Sequence, residues 1–132
     1  MADKDQGRES QLAMGPLPNR QHLREFLDGS TRSGVQLHTA AIGLGHYRPG
    51  WRWSLHAGPQ TGRPAQRHVG YVLSGRMGVR TADGEEGEIG PGEAFELGPG
   101  SDAWVIGEAT CTALDFTPIP VAEPSGPQPD GT

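Results

Sequence analysis

The sequence predicts an all-β fold, with short strands wound into a sandwich or a closed barrel. Three observations predict it. Apolar residues make up only 33% of the 132-residue chain, and the middle of the chain carries them in short alternating runs. Glycine, at 21 residues, and proline, at 12, stand at about twice their ordinary usage, and in the middle they punctuate those runs. The runs follow each other so closely that no long helix fits between them. Their number, roughly eight to ten, suits one small barrel.

The elements follow in order. Residues 1–20 are polar and irregular and read as a flexible N-terminal arm. Residues 21–27 form a helical turn or an edge segment. Residues 34–42 alternate and are rich in β-formers, so they read as one strand, which residues 43–47 continue or pair with. Pro49-Gly50 is a turn. Residues 51–56 read as a strand with aromatic weight. Pro59, Gly62 and Pro64 make the next stretch a loop. Residues 66–74 carry the clearest strand pattern, with residues 77–80 as the hairpin partner. Asp83-Gly84 is a hairpin turn, followed by a strand over 86–89. Gly90-Pro-Gly92 and Gly98-Pro-Gly100 bound strands at 94–97 and 103–106, and 110–116 is the last. The folded domain thus runs over residues 21–117. The proline-rich tail, 118–132, has too little apolar content to dock and is expected to be disordered.

Charge and composition exclude several classes of function. The net charge is −5 and basic residues are scattered, so nucleic acid is not an expected partner. No apolar run approaches a membrane span, and the start of the chain lacks the apolar core of a signal peptide. A cytoplasmic protein is expected. Cys111 is the only cysteine and sits in an alternating run, as a buried structural thiol would.

Two stretches carry a spacing. The first runs Gly50, five residues, His56, then Gly58, and on to His68, six residues, Gly75. The second runs Gly92, five residues, Gly98, then Gly100 and Ala103. Both resemble the two motifs of the cupin family. Over about residues 35–117 the resemblance implies a small double-stranded β-helix, the jelly-roll barrel. The scaffold glycines Gly50, Gly75, Gly92 and Gly100 match. The four positions that hold a metal in that family read His56, Gly58, His68 and Ala103, an incomplete set. The segments 49–54, 70–77 and 102–104 further resemble a subgroup of small bacterial cupins, in which a histidine often stands where this chain has Ser101.

The resemblance implies that His56 and His68 face the barrel interior; a period of two then turns Ser54 and Arg52 inward with His56, and Gln66, Val72 and Ser74 inward with His68. Ser101 and Val105 share the inward face of their strand. The expected pocket is therefore polar and mildly basic. A divalent transition metal on His56 and His68 needs a third ligand, and Gln66 and Ser101 are poor ones. His38, if it faces the barrel, is a better one. Without a metal, two imidazoles with ordinary pKa values near 6.5 serve as acid and base on a small carbonyl compound. Arg52 then binds a carboxylate or steadies an enolate. The preferred expectation is a small-molecule isomerase, cyclase or lyase that uses His56 and His68. The alternatives are a metal-dependent oxygenase and a non-catalytic binding module. Trp51, Trp53, Leu55, Tyr71 and Leu73 face outward in this scheme and imply a homodimer.

Overall fold

The computed structural model describes residues 11–120. The expectations for residues 1–10 and 121–132, most of the arm and tail, lie outside the described residues. Within them, β1 (Leu23–Glu25), β2 (Thr31–Gln36) and β3 (Ala40–Tyr47) come first. Two single-turn helices, α1 (Trp53–His56) and α2 (Gly58–Thr61), follow. Then come β4 (His68–Ser74), β5 (Arg76–Arg80), β6 (Glu86–Ile89), β7 (Ala94–Leu97), β8 (Asp102–Ile106) and β9 (Cys111–Pro118). A six-stranded antiparallel sheet has the order β1-β2-β3-β9-β4-β7, and a three-stranded one the order β6-β5-β8. Together they form a jelly-roll barrel. Among the described residues, no helix is long and apolar enough to cross a membrane.

The core lies between the sheets. Val72 and Ala113 from the large sheet meet Met77, Val79, Ile89, Ala103 and Val105 from the small one. Phe26, Tyr47 and Trp51 pack against each other at one end, with ring centroids 4.4–6.0 Å apart. Cys111 is fully buried there, and burial pushes its thiol up to about 11.

Three expectations about elements are corrected. The alternating stretch 34–42 is not one strand. Val35 pairs with Ile42, so the pattern is folded back on itself through a turn at 37–39, where the Leu37 amide donates to the Ala40 carbonyl. His38 lies in that turn, exposed, and does not face the barrel. Next, β5 is not the hairpin partner of β4. It pairs with β6 and β8 in the other sheet. Gly75 makes the corner at φ +79°, where a Cβ would come within 2.5 Å of the Thr110 carbonyl.

The third correction is residues 51–56, which are not a strand. The Val105 amide still donates to the Trp51 carbonyl, and Arg52 forms an isolated bridge with Trp104. The chain then coils. Asp102 of β8 accepts from the Ser54 amide and hydroxyl at 2.9 and 2.7 Å, and His56 Nδ1 accepts from the Arg52 amide at 3.0 Å. Side chains thus take the backbone donors that a strand would give to a neighbour.

At the start of the described chain, Asn19 ties residues 11–20 to β2. Its amide donates to Ser33 Oγ, and its side chain donates to the Gly34 carbonyl.

Candidate functional site

The inward face of the large sheet is built in rows. One row runs Gly34, Gly43, Asp115, Gly70, Phe95 across β2, β3, β9, β4 and β7. Glycine stands on both sides of Asp115, so no neighbouring Cβ fills the space above it. The adjacent row runs Arg24, Arg32, Gly45, Ala113, Val72. Arg32 reaches across Gly43 to Asp115, where Nε donates at 2.8 Å and Nη2 donates to the second oxygen. A Cβ on Gly43 would meet the Arg32 guanidinium at 2.4 Å and the Asp115 carboxylate at 2.7 Å. On Gly45 it would meet the Tyr47 ring at 2.3 Å. The small residues hold the floor open.

What remains above them is a cavity of about 290 Å³. Phe26, Tyr47, Trp51, Trp53 and Phe95 supply its aromatic walls, and Met77, Leu97 and Ala103 its apolar ones. Arg24, Arg32, Gln66, Arg67, His68, Ser101, Asp115 and Thr117 are its polar groups. Burial lowers the His68 pKa from 6.5, with Asp115 working against the shift and Arg32 with it. Burial also raises Tyr47 well above a free phenol, helped by the Asp115 charge. A more open groove of about 940 Å³ lies between residues 14–22 and β2–β3, and Arg32 borders both it and the cavity.

The expected site residues separate into three places. His68, Gln66 and Ser101 line the cavity. Val72 and Val105 are packed in the core and do not line it. Ser74, beyond an irregularity after Val72, is exposed. His56, Ser54 and Arg52 do not line the cavity either. Counting back by two from His56 gave the wrong phase, because the chain is helical from Trp53. Trp51 is therefore the inward residue, only 4% exposed, and Arg52 points outward. Its guanidinium lies 4.3 Å from the Trp104 ring and donates to Asp102 at 2.9 Å. Burial opposes ionisation of Asp102, but hydrogen bonds from Ser54, Arg52 and the Ala103 amide hold its pKa below the ordinary value. This is a cap with a cation stacked on it.

The residues present do not fit a transition metal. His56 stands outside the cavity with Nδ1 engaged, and the other two motif positions are Gly58 and Ala103. Among the described residues, no three of His, Cys, Asp and Glu cluster as a metal site requires.

Sequence reasoning missed Arg24, Arg32 and Asp115. A signal existed for Asp115. It is the one charge in the alternating run 110–116 and shares its phase with Cys111 and Ala113. Arg32 was missed because its strand was started three residues late.

No family model and no curated protein sequence matches the chain. Solved structures do. KdgF from Halomonas sp. superposes with a TM-score of 0.56 at 20% identity, over 82% of this chain and 96% of its own. The polyketide cyclase RemF from Streptomyces resistomycificus gives 0.55 at 22%, over 80% of each chain. A sugar phosphate isomerase of a cupin superfamily from Silicibacter pomeroyi gives 0.57 at 18%, over 75% of this chain and 71% of its own. These likenesses are likenesses of fold.

Proposed function

We propose that this protein, a small single-domain cupin by fold, binds a small organic metabolite in its barrel and moves protons on it, as an isomerase, cyclase or lyase does. One observation carries the reading: His68 stands desolvated in an aromatic-walled cavity beside the Arg32–Asp115 pair. With its pKa lowered, the imidazole is neutral at pH 7 and has a free lone pair. It accepts a proton from a carbon next to a carbonyl. The enolate charge that develops faces Arg32, whose guanidinium Asp115 already holds in place. The imidazolium then returns the proton to another atom of the same molecule. A double bond shifts, a ring closes, or a hydroxyl leaves as water. Tyr47 keeps its proton and has a hydroxyl to donate. A cyclase and an isomerase stand among the fold neighbours, which supports the reading at the level of fold only.

His56 and Arg52 have no part in this mechanism. The protein is proposed to work as a homodimer through the outer face of the large sheet. Val69, Tyr71, Leu73 and Phe116 are each 37–45% exposed there. Trp51 and Trp53 leave the interface proposed from the sequence, since the first is core and the second lines the cavity.

The test is proton exchange. Phenylpyruvate, an enolisable acid, is incubated with the protein in heavy water, and loss of the C3 proton signal is followed by NMR. Exchange should exceed the buffer rate, fall at least tenfold in His68→Gln and persist in His56→Ala. Equal exchange in wild type and His68→Gln would contradict proton transfer at His68. A protein that binds ligand but exchanges nothing is the binding module instead.

A further inference from the structure

The two arginines of β1 and β2 raise a question that folding does not answer. Arg24 and Arg32 are directly opposite each other on antiparallel strands, and both line the cavity. Like charges in that register repel and destabilise the pair. Asp115 is the only carboxylate among the cavity-lining residues, and Arg32 occupies both its oxygens. Arg67, the third cation, is matched by Glu96 at 2.8 Å. Arg24 has only neutral partners. Its Nη2 donates to the Ala57 carbonyl and to Gln60 Oε1, each at 3.3 Å, and its guanidinium lies 4.7 Å from the Phe26 ring. Among the described residues it has no ion pair. The chain as a whole carries −5, yet this wall keeps one uncompensated positive charge.

We propose that Arg24 is the anchor for the carboxylate of a small planar acid whose body lies against the aromatic walls. The inference rests on the reading of the cavity as the ligand site and names the ligand class. One unmatched guanidinium calls for one negative charge, and its planar fork fits the two oxygens of a carboxylate. Arg24 is solvent-exposed where it lines the cavity, and the stack on Phe26 and the bonds to Ala57 and Gln60 orient its fork. A volume of about 290 Å³ equals that of roughly ten waters, which admits a single ring with a short acidic arm. The aromatic walls favour a flat ligand.

Benzoate and benzamide have the same shape and differ in charge. Each is titrated into the full chain while the Met77 methyl and Trp53 indole signals are followed by NMR. Benzoate should bind about tenfold more tightly than benzamide, as a charge-assisted bond implies. Arg24→Gln should remove that preference and leave benzamide binding unchanged, while Arg24→Lys should keep part of it. Equal binding of the two probes, or a preference that survives Arg24→Gln, overturns the anchor and leaves the cavity reading standing. Phenyl phosphate binding more tightly than benzoate overturns the carboxylate assignment. Failure of both benzoate and benzamide to move the Met77 and Trp53 signals goes against the cavity reading itself, and the anchor with it.

Discussion

Arg32 and Asp115 lie 83 positions apart in sequence, and Gly43 leaves the room in which they meet. Asp115 is buried while the Arg32 side chain is 33% exposed, so water screens part of the pair. Removing one partner of a buried pair costs 3–5 kcal/mol, and partial exposure brings the expectation for Asp115→Ala down to about 2 kcal/mol. Urea unfolding measures it. A change under about 0.5 kcal/mol, the level of an ordinary surface substitution, would show the pair to be ornamental. Gly43→Ala should be as harmful, because its methyl needs the space the ion pair occupies. Its signature is loss of stability together with a shifted His68 resonance. At this scale the sequence was half legible. Period two turned His68, Gln66 and Ser101 inward, and they line the cavity, because their segments are strands or lead into them. It failed for Arg52, Ser54 and His56, because nothing local announces that Asp102, on another strand, will cap a turn there.

Helix α1 shows how an element changes the chemistry of a site. It carries His56 away from the cavity and puts Trp53 in the wall instead. The helix depends on Asp102, so Asp102→Ala should cost about 1 kcal/mol, as loss of a capping residue does. Benzoate binding should change little. A loss of stability near zero would mean that the turn holds without its cap. Strand β4 places His68 where burial disfavours its charged form, and this has a consequence for stability. The unfolded chain binds a proton at 6.5 and the folded chain only at lower pH. Stability from this group is therefore complete above 6.5 and is lost as pH falls from there to the folded value. His68→Gln should flatten that part of a stability–pH curve. An unchanged slope below pH 6.5 would place the imidazole in water. Elements were legible where a turn was encoded by glycine, as at Asp83-Gly84. They were not where one alternating stretch served two strands, as at Val35 and Ile42.

For the whole molecule, the barrel was legible because its Gly/Pro punctuation is dense and its scaffold glycines keep their spacing. The cavity's charges were not, because they come from β1, β2 and β9, which only the fold brings together. The outer face of the large sheet exposes Val69 beside Phe116 and Tyr71 beside Leu114. A second copy is the expected cover, so Tyr71→Glu should shift a dimer to monomer in sedimentation at micromolar concentration. A wild-type monomer under those conditions would rule the interface out. The central claim is that His68 is a desolvated base within a ligand cavity. A histidine NMR titration of the full chain, with and without benzoate, tests it most directly. A His68 midpoint below 6.5 that moves when benzoate is present is the expected result. A His68 midpoint at or above 6.5, indifferent to benzoate, would contradict it.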